Sequence, residues 1–389
     1  MSVQASLYIH IPFCSSFCDY CDFYSVAAGS FNDDYIDAFL SALIADIKRQ
    51  IDYFSVIEIP SAYIGGGTPS VLGGKISRLL NALKDIPAFS PAEFTIEANP
   101  ESAAEEFLGA CREGGINRLS IGVQTFHAPS RSAVNRGNSL SINKDTIEDR
   151  LALVSRYFPD AFSVDLITGL PFQTEQTVIE DINKTLEFNP AHISLYSLSV
   201  ESGTALEEKV KTKDIILPGE DIADYLWLTG RGTLIKKGFE HYEISNFART
   251  GKRCLHNIRY WQMAGWLGAG PAASGTIAAD NKEQTAMRFT FAPDIDKYIN
   301  EPSILKAEYE KLDRTALLKD TLLMGFRYID GPDSKLFRQR FGCAVEDCIP
   351  GTLAQWEGKD KMLFLNQFLS DAFAELVSCN IRASNINPH

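Results

Sequence analysis

The sequence predicts an α/β fold of parallel strands joined by helices, followed by a mostly helical C-terminal domain. Three observations predict it. Six short β-branched and aromatic runs recur with helical stretches between them. The clearest of those stretches carries apolar residues at a 3.6-residue period. A length of 389 residues suits one barrel-sized unit plus an appendage. Strands alternating with helices imply parallel pairing through right-handed crossovers.

In chain order the strand runs are Ser6–Ile11, Ser61–Gly65, Glu93–Ala98, Asn117–Val123, Phe162–Thr168 and His192–Val200. The first helix opens at Asn32, a good N-cap followed by Asp33 and Asp34, and presents Ile36, Phe39, Leu40, Leu43, Ile44, Ile47 and Ile51 on one stripe. Further helices are expected over Lys75–Leu83, Ala103–Cys111, Thr146–Tyr157, Thr174–Glu187 and Asp221–Lys236, the last weakened by Gly230 and Gly232. His241–Phe247 reads as an added edge strand, and Gly265–Gly275 as a junction. Helices over Leu312–Met324 and Met362–Leu376 suggest a helix-rich domain from about Arg288, so the chain divides into residues 1–280 and 288–389.

Composition excludes disorder and fibres, since 45% hydrophobic and 22% charged residues are near globular averages. With 37 Lys and Arg against 50 Asp and Glu, the net charge of −13 repels phosphate backbones, so nucleic acid is not an expected partner. The first Lys or Arg is Lys48 and no apolar run reaches about 18 residues, so neither a targeting segment nor a membrane span is expected and the protein is read as cytoplasmic. Eight cysteines in such a chain argue for free thiols and against a disulfide scaffold.

Cys14, Cys18 and Cys21, in IPFCSSFCDYCDF, form a C-x3-C-x2-C loop after the first strand. Three thiolates can hold three irons of a [4Fe-4S] cube and leave the fourth open to a small molecule. A structural zinc site is the alternative, but zinc prefers four protein ligands and no further His or Cys lies suitably near. Gly65-Gly66-Gly67-Thr68-Pro69 follows the second strand, either as a tight turn or as a close-approach cradle. Glu97, Gln124 and Asp165 fall at or near the ends of the third, fourth and fifth strands, where a barrel places its site and where loop capping also uses such residues. His256, beside Tyr260 and Trp261, reads as a hydrogen-bonded structural imidazole or as an axial ligand, with Cys254 and His241 as other candidates.

The cysteine loop resembles that of the radical SAM superfamily, which implies a partial (β/α)6 barrel, a [4Fe-4S] cluster and S-adenosylmethionine (SAM) bound at its open iron. A closer resemblance covers nearly the whole chain. YIHIPFC, IGGGTPS, IEANPES, NRLSIGVQTF, VDLITGLPFQT, YEISNFAR and HNIRYW resemble the family of oxygen-independent coproporphyrinogen III oxidases and HemW, in its HemW haem chaperone branch. This resemblance implies cofactor contacts at Tyr8, Tyr20, Gly66, Gly67, Thr68, Glu97, Gln124, Arg136 and Asp165. It also implies haem binding by the motif containing His256.

The branch is selected by Asp22-Phe23, where the oxidases carry a further Cys, and by the mere 13 residues that precede Cys14. The absence of a basic cluster for a tetracarboxylate substrate points the same way. The expected function is therefore delivery of haem to a haem-accepting protein, with an electron donor such as a flavodoxin or ferredoxin. The rivals are oxidation of coproporphyrinogen III to protoporphyrinogen IX and radical chemistry on an unrelated substrate. Ser274 and Asn366 depart from residues common in the family, and Cys343 and Cys348 read as structural.

Overall fold

Six strands pair in sequence order: β1 (Ser6–Ile11), β2 (Ser61–Gly66), β3 (Glu93–Ala98), β4 (Arg118–Gln124), β5 (Phe162–Thr168) and β6 (His192–Ser197). All five junctions are parallel, with Tyr8 opposite Tyr63, Ile64 opposite Ile96, Glu97 opposite Ser120, Ser120 opposite Ser163 and Asp165 opposite Ser194. The computed structural model describes residues 3–137, 146–280, 284–301 and 306–383. Five of the strand runs keep their expected bounds to within one residue at each end; the sixth stops at Ser197, where the chain turns out over the site.

The arc stays open. β6 pairs antiparallel with β8 (Asn246–Ala248), which is flanked by β7 (Glu240–His241), and β1 pairs parallel with β9 (Trp266–Ala269). β10 (Ser274–Asp280), β11 (Thr285–Thr290) and β12 (Glu308–Leu312) then continue the same twelve-stranded sheet. This is the partial (β/α)6 barrel, with both edges covered by added strands.

Period-2 alternation sorts the faces. Leu7, Ile9, Ile11, Ala62, Ile64, Phe94, Ile96, Leu119, Ile121, Val164, Ile193 and Leu195 are all buried on the outer face, in the main apolar core. They meet α1 (Asp33–Tyr53), α2 (Ile76–Lys84), α3 (Glu105–Glu113), α4 (Ile147–Tyr157) and α5 (Glu175–Leu186). The intervening residues Tyr8, His10, Tyr63, Thr95, Glu97, Ser120, Asp165 and Ser194 turn inward and make the barrel interior polar. Expected caps are present: Asn32 accepts from the Tyr35 amide at 2.9 Å, and Thr146 and Thr174 open α4 and α5 with capping boxes.

Three expectations are corrected. His241–Phe247 is not one strand but two short ones, β7 and β8, in a tight hairpin. Gly265–Gly275 is not a junction but supplies β9 and the start of β10. A Cβ on Gly268 would lie 2.2 Å from the Ser274 carbonyl oxygen and one on Gly275 would lie 2.2 Å from Phe289 Cζ, so these glycines mark close packing and not a break. Gly268→Ala is expected to cost about 3 kcal/mol, read from the urea midpoint, because backbone cannot give way as a side chain can. Third, Arg288 lies inside β11; helical structure beyond the sheet begins with α9 (Arg314–Gly325) and continues through α10 (Ser334–Phe341) to α11 (Leu365–Ala383). Phe326, Phe337, Phe341, Trp356 and Phe368 form a second core there, joined to the sheet by Trp266, Ala286 and Leu312.

The helix expected at Asp221–Lys236 forms as α7 (Glu220–Lys236), after the short α6 (Ala205–Lys211), despite its glycines. A Cβ on Gly230 would meet Leu195 Cδ2 at 2.7 Å, so the glycine lets this helix press onto β6.

Candidate functional site

At the C-terminal ends of the barrel strands lies a cavity of about 380 Å³. Cys14, Cys18 and Cys21 line it together with Tyr20. Their loop is tied down by its own backbone. The Asp19 amide donates to the Val134 carbonyl at 3.1 Å, and the Asp19 carbonyl accepts from the Leu206 amide at 2.8 Å. Asn135 donates to the Phe17 carbonyl at 2.8 Å, and Lys209 pairs with the Asp19 carboxylate at 2.6 Å. Cys14 is buried with its Sγ 3.5 Å from Thr68 Oγ1. Burial pushes the thiols of Cys14 and Cys21 up, the latter to about 11.

Gly66, Gly67 and Thr68 form the adjacent wall. Gly66 sits at φ +107°, and a Cβ there would strike His10 Nδ1 at 2.4 Å; on Gly67 it would lie 2.8 Å from the Phe13 carbonyl oxygen. Both a turn and a close approach therefore demand glycine. Glu97 accepts from Tyr63 Oη at 2.7 Å and from the Gly66 amide at 3.2 Å, and burial raises its carboxyl to about 7. Asp165 accepts from Ser120 Oγ at 3.1 Å, and burial raises it as well. Gln124 ends β4 with φ +69°, and its buried Oε1 has no partner, leaving an acceptor free in the cavity wall.

Arg136 is 7% exposed and lines the cavity. Its guanidinium donates to Asn99 Oδ1 at 2.8 Å, to the Gly122 carbonyl and to Cys18 Sγ at 3.5 Å. The next residues of its segment, 138–145, lie outside those described.

The donor set fits a cluster better than one ion. Among the described residues no three His, Cys, Asp or Glu side chains converge on a single metal position. A zinc ion needs its ligands around one point, whereas a cube takes each thiolate on a different iron. Three thiols around one cavity, glycines that leave room beside them and an orphaned acceptor opposite suit a cluster with a small polar ligand.

The comparisons agree. The radical SAM superfamily model matches residues 8–185. The heme chaperone HemW of Lactococcus lactis is 31% identical over 344 residues, covering 88% of this chain and 86% of that protein. The heme chaperone HemW of Mycobacterium tuberculosis strain H37Rv is 30% identical over 354 residues, with 90% and 87% covered. This chain belongs to the radical SAM HemW family. The solved structure of Escherichia coli coproporphyrinogen III oxidase, described as a radical SAM enzyme, superposes with a TM-score of 0.75 over 95% of this chain and 90% of that one, at 21% identity, which shows the shared fold.

Two of the residues picked out in this HemW-family chain do not line the cavity. Tyr8, on the inner face of β1, reaches His10 Nδ1 at 3.1 Å, and His10 Nε2 in turn lies 2.8 Å from the Tyr24 carbonyl beyond the cysteines. His256 lies at the opposite end of the barrel, on α8 (Leu255–Trp261), and is 2% exposed. Polar groups at the beginnings of the strands hold this short helix. Glu93, first in β3, accepts from the Leu255 and His256 amides at 2.8 and 2.9 Å, and Cys254 Sγ lies 3.2 Å away. Ser61, first in β2, contacts His256 Nδ1 at 3.0 Å and donates to Ser6, which also accepts from Arg259. Tyr242 Oη accepts from the Cys254 amide at 3.1 Å and meets His192 at 2.8 Å, so HNIRYW and YEISNFAR assemble as one plug.

Burial pushes His256 down to about 3. The folded chain then binds fewer protons than the unfolded chain between about pH 3 and pH 6.5, so this imidazole's contribution is present above that window and lost on acidification through it, by up to about 5 kcal/mol. H256F is expected to show a shallower rise of stability with pH over that window in denaturant titrations. His241, stacked on Phe247 at 4.4 Å, and Cys254, pushed up to about 12 by burial, are likewise packed away from the cavity. Cys343 and Cys348 approach to 3.8 Å in the helical region.

Asn99, Tyr63, Ser120 and Tyr196 escaped the motif reading. The first bridges Arg136 and Thr68 Oγ1, the latter at 2.9 Å; the others lie on inward strand positions. The period-2 alternation of polar with apolar residues in LSIG and SLYS is the signal that would have found Ser120 and Tyr196.

Proposed function

We propose that this chain is a radical SAM haem chaperone that binds haem and passes it to a haem-requiring protein. The observation that carries the reading is 30 to 31% identity to heme chaperones HemW over 88 to 90% of this chain, matched by three thiols around one cavity. Cys14, Cys18 and Cys21 would hold a [4Fe-4S] cluster, and Tyr20, Gly66, Gly67, Thr68, Glu97, Gln124, Arg136 and Asp165 would surround SAM. When bound, the cluster supplies an electron to SAM. Arg136 places positive charge beside Cys18, the Gly66–Gly67 turn leaves space for the cofactor, and Glu97 and Asp165 accept its polar groups. Tyr8 acts through His10, steadying the chain just past the cysteines.

Acidic lining disfavours the oxidase alternative. Among the described residues lining the cavity, Arg136 is the only Lys or Arg, against Asp22, Glu97, Asp165 and Glu201. A tetracarboxylate porphyrinogen would find a single guanidinium there for its carboxylates.

His256 is the proposed axial ligand for haem. Its Nε2 has no partner, but α8 seals it in, so ligation requires the plug to move. Residues 3–312 would carry the cofactor site with the whole sheet, and the helices from Arg314 onward the second domain of this reading. A flavodoxin or ferredoxin would supply electrons, in the cytoplasm; among the described residues no helix is long and apolar enough to cross a membrane. The test is a haem titration of anaerobically reconstituted protein beside an assay for coproporphyrinogen III conversion. A saturable Soret band without porphyrin product is expected; product formation would move the assignment to the oxidase.

A further inference from the structure

The plug and the cofactor site are joined through the barrel interior. Tyr63, on the inner face of β2, donates its hydroxyl to Glu97 Oε1 at 2.7 Å, while the Gly66 amide holds Oε2 at 3.2 Å. Gly65 lies under the same carboxylate, where a Cβ would come within 2.8 Å of it. Glu97 is therefore seated from three sides by β2. The Tyr63 ring is itself confined. Tyr8 stacks on it with centroids 6.4 Å apart and planes at 29°, and the His256 imidazole lies 5.3 Å away at 33°. Tyr260, one turn further along α8, backs His256 at 5.1 Å.

We infer that Tyr63 is a positioning residue for the cofactor site: its hydroxyl orients the Glu97 carboxylate, and its ring rests on His256, so the plug helix bears on the cofactor carboxylate from the far end of the barrel. This goes beyond contact residues in the cavity. It makes His256 a support for the SAM site whether or not it ever ligates haem, and it predicts that disturbing the plug weakens SAM binding at a distance. The inference rests on the reading of the cavity as a SAM site.

The electrostatics give a readout that packing alone would not move. The Tyr63 hydroxyl stabilises the charged form of Glu97, against burial and against Asp165 on β5, which favour the protonated form. Tyr8 on β1 and Tyr196 on β6 also face Glu97, and Arg118 on β4 faces Tyr63 and Asp165. Removing the hydroxyl takes away a stabilising bond to the carboxylate and must raise its pKa.

The experiment is SAM binding by equilibrium dialysis to the cluster-reconstituted protein between about pH 6 and pH 9, for the unsubstituted chain, Y63F, H256A and H256F. Iron per chain and the melting temperature are followed in each. The unsubstituted protein is expected to bind more tightly as pH rises through the Glu97 midpoint. Y63F is expected to keep its iron, weaken binding roughly tenfold near neutral pH and move the midpoint up by about one unit. H256A is expected to shift both in the same direction by less, and H256F, which keeps an aromatic ring under Tyr63, to restore them. Unchanged affinity and midpoint in Y63F would overturn the positioning role, and unchanged binding in H256A would overturn the coupling to the plug. Absence of SAM binding to the unsubstituted protein would overturn the site reading itself.

Discussion

Alanine at Cys14, Cys18 or Cys21 is expected to yield a folded chain that retains little iron after anaerobic reconstitution. With one thiolate missing, two irons of the cube lack a protein ligand, and the cluster is exposed to loss. The fold should survive because other groups hold the loop. The Asp19 backbone bonds to Val134 and Leu206, and the Lys209–Asp19 pair at 2.6 Å, remain in each variant. Cys111, fully buried in α3 and outside the cavity, supplies the control: Cys111→Ala should keep its iron. Iron and acid-labile sulfide per chain, with near-UV circular dichroism for the fold, decide the matter. Full cluster content in any of the three variants would remove that residue from the ligand set.

Substituting Glu97 or Asp165 by alanine should separate cofactor binding from cluster binding. Both carboxyls line the cavity without being placed as iron ligands, so cluster absorbance should persist while SAM affinity falls. Each lost polar contact in an enclosed site costs about 1 to 3 kcal/mol, so the dissociation constant should rise roughly tenfold to hundredfold. Asp165→Ala also strands the Ser120 hydroxyl, which donates to that carboxylate at 3.1 Å, so Asp165→Asn serves as the gentler variant. Dialysis or calorimetry on reconstituted protein measures it. An affinity equal to that of the unsubstituted chain would return the residue to a purely architectural role.

Much of the site was legible because its chemistry is local. The C-x3-C-x2-C spacing places three thiols on one short loop whatever the rest of the chain does. The glycines at 65–67 likewise declare a backbone that must pass close to its neighbours. Arg136 was legible only through family resemblance. Its role as a buried guanidinium linking Cys18, Asn99 and Gly122 depends on segments more than a hundred residues apart in the case of Cys18. Tyr63 carried no motif signal, since a tyrosine on a strand reads equally as core, and only the pairing of β1, β2 and β3 puts its hydroxyl against Glu97.

What the sequence determined by itself was the strand–helix alternation, the helix starts at Asn32, Thr146 and Thr174, and the grouping of three thiols on one short loop. Each of these follows from residues within a few positions of one another. Tertiary structure decided where the glycines of 265–275 go, because neighbouring backbone and the Phe289 ring occupy the space a side chain would need. It decided that sheet pairing continues past Arg288, because edge pairing is a long-range event with no local signature. It also decided the place of His256. Nothing within HNIRYW distinguishes a cavity ligand from a plug; the difference lies in Ser61 and Glu93, far away in sequence, whose polar groups at the strand beginnings hold α8 in the closed end of the barrel.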